Sequence, residues 1–125
     1  MKNIVDSCAW LAYFADEKNA RIFAEPIEDI ENLIVPSVVL TEVFKVIYRQ
    51  TDENTALQAI AHIQQGEVIP LDNMLSIDAG FYGVQYKLPL ADSIIYATSK
   101  KYNAIIWTQD NDFKGLENIK YYTKT

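Results

Sequence analysis

The sequence is poor in the residues that most often carry chemistry alone, with one cysteine, Cys8, and one histidine, His62, among 125 residues. A single cysteine forms no internal disulfide, and so small a Cys/His set argues against a zinc site. A Cys/His dyad is disfavoured as well, because His62 falls in an amphipathic helical stretch and reads as a surface or boundary side chain. Four glycines and four prolines exclude collagen-like or low-complexity character. The longest apolar stretches, such as residues 33–40 around Pro36, fall short of the roughly 20 residues of a membrane helix. At the start, residues 1–6, the Asp6 carboxylate stands where a secretory signal needs an apolar run, so the expectation is a cytoplasmic protein. Basic residues are outnumbered, 11 against 17, for a formal net charge of −6. That is the wrong sign for a protein that holds nucleic acid mainly by neutralising phosphates. Either nucleic acid is not the substrate, or bound divalent cations and a local basic patch reverse the field where it lands.

What is present is half hydrophobic, enough for one buried core in a single domain over residues 1–125. Asn3-Ile4-Val5, Leu33-Ile34-Val35, Val68-Ile69 and Ala104-Ile105-Ile106-Trp107 are short apolar runs of the kind that form buried parallel strands, with Ile119-Lys120-Tyr121-Tyr122 as an edge-like last strand. Helical periodicity lies between them. Residues 37–50 carry Val38, Val39, Val43, Phe44, Val46 and Ile47 behind Pro36, with Ser37 as N-cap. Residues 52–65 place Leu57, Ile60, Ala61 and Gln64 at helical spacing after Thr51 or Asp52, and stop at Gly66. Residues 73–86 and 90–102 form two more helices, broken at Leu88-Pro89 and stopped at Asn103. Strands alternating with helices, with no Asn-Gly hairpin signal, give the α/β class: a parallel β-sheet flanked by α-helices. In such sheets the site lies beyond the carboxyl ends of the strands.

Acids stand at those ends. Asp6 follows the first strand directly, Asp110 comes three residues after Trp107, and Asp92 opens the helix ahead of that strand. Glu42 lies inside the 37–50 helix with Val38 and Val46 one turn to either side, where an unpaired carboxylate would cost several kcal/mol or take a proton. Each acid also has an ordinary reading: Asp6 and Asp92 as N-caps, Asp110 and Asp112 as turn formers, Glu42 paired with Lys45 or Arg49. Those readings need a separate reason for every acid, whereas one hard-cation site accounts for all of them together. Glu25, Glu28, Asp29 and Glu31 are read as a solvated face.

Four segments, Ile4-Val5-Asp6-Ser7, Leu40-Thr41-Glu42-Val43, Leu90-Ala91-Asp92-Ser93-Ile94-Ile95-Tyr96-Ala97 and Thr108-Gln109-Asp110-Asn111-Asp112-Phe113, together resemble the motifs of the PIN-domain family across nearly the whole chain. Within that family the size is most like the VapC-type toxins of prokaryotic toxin–antitoxin pairs. The resemblance implies a cluster of acids binding Mg²⁺ or Mn²⁺ and hydrolysing RNA. By motif position Asp6, Glu42, Asp92 and Asp110 are the metal-binding and catalytic set, with Asp112 as an outer or secondary ligand. Thr108 matches a hydroxyl position that in the family holds a metal-bound water. Cys8 departs from the usual Ser or Asn two residues after the first acid. A thiol is a weak donor, so support for Asp6 falls to Ser7 or is missing.

On this reading the cations offset the repulsion among carboxylates, polarise the scissile phosphate and lower the pKa of a bound water, leaving a 5′-phosphate and a 3′-hydroxyl. Lys45, Arg49, Lys100, Lys101 and Lys114 are the cations nearest in sequence for the flanking phosphates. The toxin resemblance also implies a cognate antitoxin, small, basic and DNA-binding. A homodimer is expected, with Phe81, Tyr82 and Tyr86 as its apolar helix surface, although aromatics at helical spacing more often belong to a core. Two other readings stay open: a receiver-like magnesium-binding signalling domain, in which Asp72 would take the phosphoryl group, and a catalytically inactive PIN-like protein-binding module.

Overall fold

The structure, a computed structural model, describes residues 1–124. Five strands, β1 (Lys2–Val5), β2 (Ile34–Pro36), β3 (Glu67–Ile69), β4 (Ala104–Thr108) and β5 (Ile119–Tyr121), alternate with six helices. The helices are α1 (Ser7–Phe14), α2 (Ala20–Glu28), α3 (Ser37–Gln50), α4 (Glu53–Ile63), α5 (Asn73–Tyr86) and α6 (Leu90–Tyr102). Every strand pairing is parallel. β4 lies between β1 and β5, β2 pairs with β3, and one bridge from Asn3 to Leu33 joins the two groups. The fold is therefore α/β with a parallel sheet flanked by helices, as the alternation of periods predicts.

Burial explains why the strand sequences are apolar runs rather than alternating ones. Ile4, Val5, Ile34, Val35, Ile106 and Trp107 are all buried, as strands covered on both faces require. β5 pairs with β4 only and is half exposed, the edge strand expected. The helix termini obey local chemistry. Asp52 caps α4 by accepting the Thr55 N–H at 2.7 Å, and Asp72 caps α5 through the Leu75 N–H at 2.8 Å. Lys87 and Asn103 adopt the left-handed conformation that ends α5 and α6.

Two sequence expectations need correction. Ser37 is the first residue of α3 rather than its N-cap; Pro36 occupies the cap position and no side chain caps the helix. In α4 the buried face is Ala56, Ala59 and Ile63, while Leu57 is exposed. The small alanines let α4 lie close against α3, which turns the helix away from the face suggested by its larger apolar residues. Glu42 keeps Val38 and Val46 one turn to either side, all three half-buried, and the innermost face of α3 belongs to Val39 and Val43. Glu25, Glu28, Asp29 and Glu31 are exposed as expected, though only the first two lie on α2.

Candidate active site

β1 delivers Asp6 to the carboxyl edge of the sheet. Its backbone N–H still reaches the Trp107 carbonyl at 3.0 Å, and its extended ψ makes it the N-cap of α1. One carboxylate oxygen accepts the Ser7 N–H at 2.8 Å; the other accepts the Thr108 hydroxyl at 2.7 Å and the Cys8 thiol at 3.3 Å. Asp6 is thus both a cap and a member of the acidic centre. Burial pushes its pKa up to about 6 against these three donors, with the charge of Asp110 adding to the rise. Burial, and then the Asp6 charge, holds the Cys8 thiol well above its ordinary pKa, so it stays protonated and donates. The hydrogen bond that the Cys8 substitution places in doubt is therefore present. The Ser7 hydroxyl goes elsewhere, to Glu42 at 2.5 Å.

β4 brings in the second acid. The Asp110 N–H donates to the Thr108 hydroxyl at 2.9 Å, and its carboxylate accepts the Asp112 N–H at 2.9 Å, starting the single 3₁₀ turn Asn111–Phe113. Phe113 is fully buried and anchors that turn, which holds Asp112 at the rim. Asp92 arrives from the first turn of α6 and is buried. Burial, followed by the charges of Asp6 and Asp110 and the contact with Asp112, pushes its pKa up to about 8. The helix N-terminus favours a carboxylate there, but burial and like charge prevail.

Asp92, Asp110 and Asp112 each present a carboxylate oxygen within 4.8 Å of the other two. Among the described residues this is the set that converges; Asp112, an outer ligand by sequence, stands with Asp92 and Asp110. Asp6 lies beside them, close enough to raise the pKa of Asp92, with its own oxygens already engaged. Glu42 stands further back, tied to Asp6 through Ser7, and no ion pair among the described residues joins it to Lys45 or Arg49. Oxygens on opposite sides of one Mg²⁺ lie about 4.2 Å apart, so the observed spacing accommodates a hard divalent ion with a small closure. Oxygen-only donors suit Mg²⁺ or Mn²⁺ better than zinc.

Other assignments are settled by placement. Lys100 is paired with Glu117 at 2.8 Å and Lys101 stands 3.8 Å from Asp72, both at the surface. Asp72 is a helix cap outside the carboxylate cluster, so the receiver-like reading has no acceptor at the metal site. His62 sits half-buried among Trp10, Tyr13 and Phe14, the boundary position expected. One functional support escaped the sequence reading. Buried Asn19 donates to Gln109 at 3.0 Å and to the Thr123 carbonyl at 2.9 Å, pinning the segment between Thr108 and Asp110. An amide paired across 90 positions leaves no local sequence signal.

The sequence profile of the PIN domain matches residues 4–118. The chain belongs to the PIN domain family. Among curated proteins, none matches it significantly by sequence. Solved structures resemble this PIN domain closely at low identity. A toxin–antitoxin complex from Klebsiella pneumoniae superposes with a TM-score of 0.78 at 18% identity, covering 98% of this chain and 99% of that one. DNA-bound VapBC from Salmonella typhimurium gives 0.75 at 14%, covering 100% and 99%. Mycobacterium tuberculosis VapC20, a toxin that cleaves the sarcin–ricin loop, gives 0.77 at 16%, covering 94% and 96%. At these identities the likeness establishes the PIN fold over the full length of the described chain. No helix of this PIN domain is long and apolar enough to cross a membrane.

Proposed function

We propose that the chain is a Mg²⁺- or Mn²⁺-dependent endoribonuclease, the toxin of a VapBC-type toxin–antitoxin pair acting in the cytoplasm. The observation that carries this reading is the convergence of Asp92, Asp110 and Asp112 within 4.8 Å, beside buried Asp6, at the carboxyl edge of a parallel sheet. Burial, and then like charges gathered so tightly, raise the proton affinity of Asp92 unless a cation takes the proton's place. Asp92, Asp110 and Asp112 would hold the ion directly, Asp6 would complete or orient its surroundings, and Glu42 would act through Ser7. When bound, the ion supplies Lewis acidity to the scissile phosphate and lowers the pKa of the attacking water. Thr108 fixes Asp6 and the Asp110 backbone together, so the carboxylates keep their spacing as substrate arrives.

An open cleft of about 410 Å³ beside Asp110 is bordered by Asn111, Tyr121 and Lys124. It offers a polar wall, one aromatic face and a cation to a single strand, which answers the unfavourable overall charge locally. RNA is favoured as substrate by the resemblance to a toxin that cleaves the sarcin–ricin loop. The toxin–antitoxin complexes among the similar structures support a cognate antitoxin, whose Arg or Lys would pair with the acidic crevice and exclude the ion.

The test is purified protein on total RNA with Mn²⁺ or with EDTA, followed by end mapping. Cleavage with Mn²⁺ that leaves 5′-phosphates, and its loss in Asp92→Asn and Asp6→Asn variants that remain folded, is expected. Full activity in excess EDTA would remove the metal mechanism, and no cleavage under any metal would favour an inactive binding module.

A further inference from the structure

Most aromatic side chains of this chain lean on another ring, as Phe44 does on Tyr48 and Trp107 on Tyr122. Tyr121 does not. It lines the cleft of about 410 Å³ beside Asp110, and among the described residues no ring stacks against it. It is nevertheless held from three directions. Its backbone stands opposite Thr108 in the β4–β5 ladder, and its phenol donates to the Asn111 side-chain oxygen at 2.8 Å. The Lys114 ammonium lies over its ring, 5.5 Å from the centroid. One face of the ring is thus taken by a cation, and no side chain among the described residues is stacked on the other. A flat apolar surface fixed in orientation before a ligand arrives is what a stacking platform requires.

The surroundings match a nucleotide. Asn111 follows Asp110 directly, and with its oxygen committed to the phenol its amide N–H pair has no partner among the described residues. Two donors are therefore left for a base carbonyl. Lys114 and Lys124 join no ion pair among the described residues, so both cations are free for phosphates. The cleft volume lies at the lower end of small-molecule sites, which span roughly 300–1,000 Å³, and suits one nucleotide.

We propose that Tyr121 and Asn111 form a nucleobase subsite, in which the base beside the scissile phosphate stacks on Tyr121 and accepts from the Asn111 amide while Lys114 and Lys124 hold flanking phosphates. The proposal rests on the nuclease reading of Asp110, because that acid fixes which part of the strand reaches the cleft. A basic peptide meets the two lysines as repulsion, whereas RNA brings flat rings and phosphates that suit both features. The subsite also selects single strands, since a base must leave its pairing partner to lie on the ring.

The test separates bases from phosphates. Fluorescence anisotropy in Ca²⁺ compares a labelled ten-nucleotide RNA of mixed sequence with an abasic strand of the same length and charge. The wild-type chain should prefer the RNA by about 5- to 150-fold, the usual effect of one base–aromatic stack. Tyr121→Ala should lose that preference with unchanged circular dichroism and unchanged affinity for the abasic strand, and Tyr121→Phe should keep most of it. Asn111→Ala, outside the sheet, should reduce it by about 2- to 12-fold, the worth of one hydrogen bond. Equal wild-type binding of both strands overturns the proposal, as does a full preference in folded Tyr121→Ala or in Asn111→Ala. Cleavage of total RNA with Mn²⁺ is read on the same preparations. Cleavage without any base preference sinks the subsite and keeps the nuclease; a Tyr121-dependent preference without cleavage keeps the subsite and sinks the nuclease.

Discussion

The hydroxyl of Thr108 donates to Asp6 across 102 positions of sequence, at 2.7 Å and fully buried. The same oxygen accepts the Asp110 N–H at 2.9 Å. Thr108→Val keeps the shape and removes both bonds, leaving a buried carboxylate and an N–H short of a partner. A loss of about 1–3 kcal/mol in stability is expected by denaturant titration, together with weakened metal binding, and Thr108→Ser should restore both.

Among the described residues it is the Ser7 hydroxyl that hydrogen-bonds Glu42, at 2.5 Å. Ser7→Ala retains the backbone N–H to Asp6 and frees Glu42. Metal affinity or cleavage should fall about 10–100-fold, the usual effect of losing a partner that orients a ligand, with little change in melting temperature. An unaltered affinity would separate Glu42 from the metal centre.

Burial and like charge raise Asp6 to about 6 and Asp92 to about 8 from an ordinary 3.8. Between the ordinary and raised values the folded metal-free chain keeps protons that the unfolded chain releases. Its stability therefore falls as pH rises through this window, the reverse of a salt-bridged aspartate. Melting in EDTA should show a higher midpoint near pH 5 than near pH 8, and saturating Mn²⁺ should abolish most of that slope by replacing the protons. A midpoint that rises with pH in EDTA would contradict the carboxylate cluster.

Gly66 is buried where a Cβ would stand 2.8 Å from the Leu33 side chain and 3.0 Å from its carbonyl oxygen. Because the Leu33 carbonyl is held by the Glu67 N–H at 2.9 Å, the chain has little room to shift. Gly66→Ala should cost about 1–3 kcal/mol of stability, measured by urea unfolding, by forcing the β2 and β3 segments apart. The acidic centre lies on other strands, so cleavage per folded molecule should persist.

Most of the sheet was legible because parallel strands buried on both faces must be continuous apolar runs, and Asp6 and Asp110 stand just beyond two of them. α3, α5 and α6 were legible from their punctuation: Pro36, the Leu88-Pro89 break and Asn103. α1 was not, since Ser7–Phe14 is apolar on every side and shows no period, and α2 is masked by an internal Pro26. The rotation of α4 was hidden because hydrophobicity ranks Leu57 above the alanines that packing prefers. In the candidate site, spacing pointed to the acids but not to which of them converge. Asp112 owes its place to the buried Phe113 anchor, and Glu42 its connection to a hydroxyl 35 residues away.

β1 forms its ladder with β4, Lys2 opposite Ala104 and Val5 opposite Trp107, and reaches the β2 side through the Asn3–Leu33 bridge. A chain emerging from the ribosome thus carries its first aspartate long before Asp92 and Asp110 exist, and the strand that seats it has no ladder partner until β4 is made. Partial products of translation that stop short of β4 therefore lack the assembled cluster of acids.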